Sequence, residues 1–126
     1  MTKFTFAGER VAVISVDAGS YRQFRVLRFS GELDLDSLQT LRRALATTVM
    51  PDARIIINLF GVPFLDSASI GQFVQLQRKL TDRGGAMVMV WCQPNVLRLL
   101  QRTRLTSVFG VFEWADQAAD HLAALP

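Results

Sequence analysis

The chain reads as a small α/β sandwich: a mixed sheet of four to five strands, opened by an antiparallel hairpin and carrying about four helices. Two apolar runs predict it, Ala53-Arg-Ile-Ile-Ile-Asn-Leu59 and Ala86-Met-Val-Met-Val-Trp91. Both are short and continuously apolar and are bounded by turn residues, the pattern of strands buried on two faces. Segments with helical spacing alternate with them from Asp34 onward. Strand, helix, strand in that order implies parallel pairing through crossover helices. With 126 residues, half of them hydrophobic, residues 1–126 are expected to form a single domain with one sizeable core.

Taken in order, residues from about Phe4 to Val16 and from about Gln23 to Phe29 form apolar bursts separated by Asp17-Ala18-Gly19-Ser20, which predicts a two-strand hairpin with its turn at those four residues. Leu38, Leu41, Leu45 and Val49 then recur at helical spacing, with Asp36 or Ser37 as the expected cap and Pro51-Asp52 as the stop. After the first buried strand, Ile70, Phe73, Val74, Leu76 and Leu80 give one side of a second helix, which Gly84-Gly85 ends. Pro94 opens a short third helix with Val96, Leu97 and Leu100 inward. A last strand near Val108 to Phe112 and a last helix near Ala115 to Leu125 complete the chain.

Composition narrows the function classes. The formal charge is +3, and of the fourteen basic residues only Lys3 and Lys79 are lysines. The arginines are spread along the chain rather than gathered into a stripe with interleaved aromatics, which argues against a nucleic-acid partner. Cys92 is the single cysteine; it offers neither a disulfide framework nor a metal cluster, so no metal or other cofactor is expected. No apolar stretch approaches the length of a membrane span. A cytoplasmic protein with no membrane insertion is the expectation.

The most informative stretch is Val62-Pro-Phe-Leu-Asp-Ser-Ala-Ser-Ile-Gly71, where a serine lies between a buried run and the start of an amphipathic helix. A helix start carries unpaired N–H groups and the positive end of the dipole, so a phosphate on Ser67 would be held by its own chain. Phe64 and Leu65 are expected in the core, with Asp66 and Ser67 emerging. A serine in this place is also a common helix cap, and the residues alone leave both roles open.

The order Gly31-Glu-Leu-Asp34, then Ile-Ile-Ile-Asn-Leu-Phe-Gly-Val62, then Phe64-Leu-Asp-Ser-Ala-Ser-Ile-Gly71, then Gly84-Gly85 and Pro94-Asn-Val-Leu-Arg-Leu-Leu100 resembles the STAS domain family, the anti-sigma factor antagonists of bacteria. The resemblance implies a STAS-like sandwich and a regulatory protein rather than an enzyme. Its implied partner is an anti-sigma factor with serine kinase activity that phosphorylates Ser67 and is then released, with a serine phosphatase as a further partner. Asp34, Asn58, Asp66, Ala68, Ser69, Ile70 and Gly71 are implied as neighbours of that site in the partner-binding surface. Two departures stand out. Ala68-Ser69 replaces the usual Ser-Gly, which makes Ser69 a second candidate for modification, and Phe60 stands where a small or polar residue is usual, either exposed or folded inward. The family also implies an alternative role, as a non-phosphorylated accessory subunit or scaffold of a transporter or signalling assembly.

Other chemistries lack their residues. A receiver domain needs a lysine late in the chain, and none follows Lys79. Neither a Gly-x-x-x-x-Gly-Lys loop nor a Gly-x-Gly-x-x-Gly turn occurs. Nucleophilic catalysis by Ser67 would need a base, and the single histidine, His121, lies in the last helix.

Overall fold

The computed structural model describes residues 2–4 and 14–126. Strands β1 (Thr2–Phe4), β2 (Ser15–Tyr21), β3 (Phe24–Ser30), β4 (Arg54–Gly61), β5 (Ala86–Val90) and β6 (Gly110–Phe112) lie side by side in sequence order. Pairing is antiparallel from β1 to β3 and parallel from β3 to β6. The expected mixed sheet is present. The three-residue β1 adds an edge to the five strands from β2 to β6.

Because the strand order never reverses, crossovers of one hand must all fall on one face of the sheet. Helices α1 (Leu38–Ala46), α2 (Ser67–Asp82) and α3 (Pro94–Arg102) are those crossovers, and they share one core. Leu41, Leu45, Phe73, Leu76, Leu80, Val96 and Leu100 pack there with Leu27, Phe29, Ile55, Ile57 and Leu59. Helix α4 (Ala115–Ala124) follows the last strand and folds onto the opposite face. Its Ala118, Ala119 and Leu122 meet Phe24, Ile56, Val88 and Val90. Arg54 holds the far end of α4, donating to the carbonyls of Leu122 at 2.6 Å and Leu125 at 3.1 Å. These are the last-turn carbonyls that a helix leaves unpaired.

The hairpin turn is displaced from its expected place. Asp17-Ala18-Gly19-Ser20 lie inside β2, and Tyr21 pairs with Phe24 across a two-residue loop in which Arg22 takes φ 54°. Pairing decides this: Val16 faces Phe29 and Ala18 faces Leu27, while Asp17 stands opposite Arg28 and accepts its guanidinium at 3.2 Å. A turn at Asp17 would forfeit those cross-strand contacts. The expected first strand extends over residues 5–13, which lie outside the described residues.

The stop at Gly84-Gly85 takes the expected form. Gly84 has φ +82°, its N–H reaches Thr81 at 3.1 Å, and the Gly85 N–H reaches Leu80 at 2.8 Å, the double bond of a Schellman cap. A Cβ at Gly85 would stand 2.1 Å from the Ala53 carbonyl oxygen. That contact sets the entry to β5 hard against the entry to β4.

Candidate functional site

The site is built where two loops cross the end of the sheet. Leu33 and Leu65 form an isolated parallel bridge, in which the Leu33 N–H donates to Phe64 at 3.0 Å and the Asp66 N–H donates to Leu33 at 2.9 Å. Both leucines are buried in the core. The bridge sets the loop after β3 beside the start of α2, so Asp34 and Asp66 follow directly from two paired residues.

Asp34, rather than Asp36 or Ser37, caps the entry to the first helical segment. Its carboxylate accepts the Ser37 N–H at 3.2 Å, and the Ser37 hydroxyl accepts the Asp34 N–H at 3.0 Å. This reciprocal box closes a 3-10 turn, Leu35–Ser37, that feeds α1. Asp36 falls within the first turn, where its charge meets the positive end of the dipole.

Asp66 is the cap of α2: its carboxylate accepts the Ser69 N–H at 2.8 Å. Ser67 is therefore the first residue inside the helix and not its cap. Its side chain is exposed and makes no hydrogen bond among the described residues. Ala68 is half-buried. Ser69 points the other way, at 0% exposure, and its hydroxyl has no partner, so this serine is closed to an external modifying enzyme. Ile70 is buried in the core and anchors the first turn. Gly71 lies one helical turn beyond Ser67, and a Cβ built there meets nothing within 4 Å.

Two expectations need correction. Asn58 is not brought to the serine. It lies within β4, where alternation turns it with Ile56 toward the α4 face, and it lines a groove there with Arg28, Val90 and Trp91. Its carboxamide oxygen accepts the Phe60 N–H at 2.9 Å, at the irregularity where the register between β3 and β4 shifts. Phe64 is 46% exposed rather than buried, because the bridge engages its carbonyl and Leu65 alone takes the inward position. Phe60 is also exposed, at 69%, as is Leu35 at 71%. Exposed apolar side chains thus stand on both segments that the Leu33–Leu65 bridge joins, a feature of protein-contact surfaces. The exposure of Leu35 had no signal in the sequence apart from its place between Asp34 and Asp36.

The loop carrying these residues is held at both ends. Gln93 donates to the Phe60 carbonyl at 2.7 Å, and Asn95 donates to the Pro63 carbonyl. Both donors stand at the start of α3, so the third crossover braces the second. The tip is rigid.

No nucleophilic machinery accompanies the serine among the described residues. His121 packs its ring against that of Phe112 at a tilt of 44°, with centroids 5.2 Å apart, on α4 and the opposite face of the sheet. Burial pushes the Cys92 thiol up to about 11, so it stays protonated and unreactive near neutrality. Among the described residues no helix is long and apolar enough to cross a membrane.

The arrangement presents an unbonded, exposed Ser67 hydroxyl after a segment that carries the exposed rings of Phe60 and Phe64. The chain belongs to the STAS domain family, whose match covers residues 15–118. It is 22% identical to the anti-sigma F factor antagonist of Paenibacillus polymyxa over 102 residues, spanning 79% of this chain and 87% of that one. Against the anti-sigma-B factor antagonist of Bacillus subtilis (strain 168) the identity is 26% over 98 residues, spanning 78% and 90%. The crystal structure of an anti-sigma factor antagonist from Mycobacterium paratuberculosis superposes with a TM-score of 0.78 at 23% identity, covering 87% of this chain and 94% of that one.

Proposed function

We propose that this protein is an anti-sigma factor antagonist of the cytoplasm, a non-catalytic switch that binds an anti-sigma factor until that partner, acting as a serine kinase, phosphorylates Ser67. One observation carries the reading: Ser67 is exposed and unbonded at the first position of a 16-residue helix whose capping role Asp66 has already taken. The names borne by its relatives support the same partner class.

A phosphate on Ser67 adds roughly −1.5 to −2 charges and three acceptor oxygens. The helix start stabilises it by only about 0.3–1 kcal/mol at an exposed position. That is too little to remodel a domain whose adjacent residues are fixed by the Leu33–Leu65 bridge and by Ile70. The fold stays as it is, and the surface changes. A partner that had buried the bare hydroxyl among Leu35, Phe60 and Phe64 must now desolvate a dianion beside Asp66, and the complex dissociates. A serine phosphatase would restore the docking form.

The test is intact-mass analysis after incubation with ATP and each serine-kinase anti-sigma factor of the source genome. One phosphate is expected on the wild type and on Ser69→Ala, and none on Ser67→Ala. The Ser67→Ala protein should hold its partner with ATP present, whereas Ser67→Asp should bind weakly. Binding with no modification would refute the switch. Co-purification with a transporter ATPase, unaffected by Ser67→Ala, would establish the accessory-subunit role instead.

A further inference from the structure

The charge of this molecule is unevenly placed. Helices α1, α2 and α3 together carry Arg42, Arg43, Arg78, Lys79, Arg98 and Arg102 against a single carboxylate, Asp82. Helix α4, on the other face, carries Asp116 and Asp120 and no lysine or arginine. The acids of α4 are engaged with the hairpin: Asp120 pairs with Arg22 at 2.8 Å and Asp116 accepts the Tyr21 hydroxyl. On the three-helix face, Arg42, Arg78, Lys79, Arg98 and Arg102 are exposed and have no carboxylate partner among the described residues.

Two of these cations, Arg42 of α1 and Lys79 of α2, line one cleft between the two helices. It has a volume of about 350 Å³, with the buried Leu45 and Leu76 and the half-buried Val49 along its floor and Arg42, Lys79, Gln72, Gln75 and the exposed Ala46 at its rim. Ser67, Gly71, Gln75 and Lys79 recur every four residues, and such a series forms a diagonal ridge on a helix surface. The ridge runs from the exposed hydroxyl, past a residue with no side chain, to the basic rim.

We infer that the α1–α2 cleft receives an acidic, glutamate- or aspartate-rich surface of the protein that docks at Ser67, and that Arg42 and Lys79 steer that partner in. This rests on the reading of Ser67 as the docking tip and adds the chemistry of what docks. The cleft suits a protein rather than a nucleic acid or a lipid surface. Two cations over an apolar floor match a pair of carboxylate side chains with their methylenes, whereas a nucleic-acid backbone calls for a run of phosphate contacts and a membrane surface for a larger basic cluster. Distance separates the two ends of the ridge. Twelve residues of helix place Lys79 roughly 18 Å along the axis from Ser67, about two screening lengths at physiological salt. A phosphate on Ser67 therefore leaves the attraction at the rim in place. Steering sets the rate of encounter, and the serine sets whether the encounter lasts.

Two measurements test this, using Arg42→Glu/Lys79→Glu and the neutral pair Arg42→Gln/Lys79→Gln, each checked for an unchanged thermal melt. In the first, a synthetic peptide of about 12 residues rich in glutamate is titrated into the labelled wild-type protein by NMR. Saturable shifts are expected at Arg42, Gln72, Gln75 and Lys79, with affinity falling about tenfold in the glutamate pair and less in the glutamine pair. Shifts spread evenly over all arginines, an affinity indifferent to both pairs, or tighter binding of a DNA duplex to the same cleft would overturn the inference. In the second, stopped-flow association with the anti-sigma factor that binds should be about tenfold slower in the glutamate pair and lose most of its salt dependence, with dissociation little changed. An unchanged association rate beside a Ser67→Asp variant that has lost binding would sink the inference and leave the switch standing. If no anti-sigma factor binds, the switch falls and the peptide titration still decides the cleft.

Discussion

The Asp66 carboxylate accepts the backbone N–H of Ser69 at 2.8 Å, and this bond frees Ser67 from the capping role. A helix start needs one polar side chain to turn back on its N–H groups. Because Asp66 does so, the Ser67 hydroxyl has no structural duty and stands outward.

Removing that cap should cost stability and order at the tip. Asp66→Ala is expected to lower the unfolding free energy by about 1 kcal/mol, and Asp66→Asn, which caps equally well, by far less. Denaturant melts of the two variants make the comparison. Equal losses would mean that charge, and not the cap bond, is the stabilising feature.

Ser69 carries a buried hydroxyl with no partner. An unsatisfied buried polar group is costly, so Ser69→Ala should stabilise the protein by about 1 kcal/mol and leave Ser67 exposed. A clear loss of stability in the same melt would show that the hydroxyl is bonded in solution.

Gly71 presents the opposite case. Nothing in the fold occupies the space of a Cβ there, and glycine inside a helix is worth about 1 kcal/mol less than alanine. Gly71→Ala should therefore raise the melting temperature while weakening the complex with the docking partner. A stabilised variant that binds as tightly as wild type would remove Gly71 from the contact surface.

Cys92 makes stability depend on alkaline pH. Its folded thiol is raised from 9.0 to about 11 by burial, so the folded state holds this proton more tightly than the unfolded state. The resulting stabilisation is fully present below about pH 9 and is lost as pH rises toward 11. A shift of that size is worth up to about 3 kcal/mol. The difference in unfolding free energy between wild type and Cys92→Ala, followed from pH 8 to 11, should shrink by that order. A constant difference would refute the burial argument.

Elements governed by periodicity were legible in the residues. Ile55 to Leu59 and Met87 to Val90 could only be interior strands, and Pro94 and Gly84 mark helix ends through their own backbone restrictions. Features decided by cross-strand or through-space partners were not. Asp17 looks like a turn residue until Arg28 is placed opposite it, and Asp34 looks like a loop residue until its reciprocal bonds with Ser37 are seen. Asn58 sits four residues before the loop that leads to Ser67, yet strand alternation sends it to the far face. Of the two serines in Ser67-Ala68-Ser69, composition distinguishes neither. The cap bond and the core decide that the first is offered to solvent and the second is sealed.

Two glycines near the ends of one helix face opposite steric surroundings. At Gly85 even a methyl group would strike the Ala53 carbonyl, so β5 cannot begin a residue early or late against β4, and the sheet's alignment is locked mechanically from within. At Gly71 the chain's own packing imposes no such veto. Random substitution screened for folding alone should thus leave position 85 invariant and let position 71 drift, while a screen for partner docking should hold both.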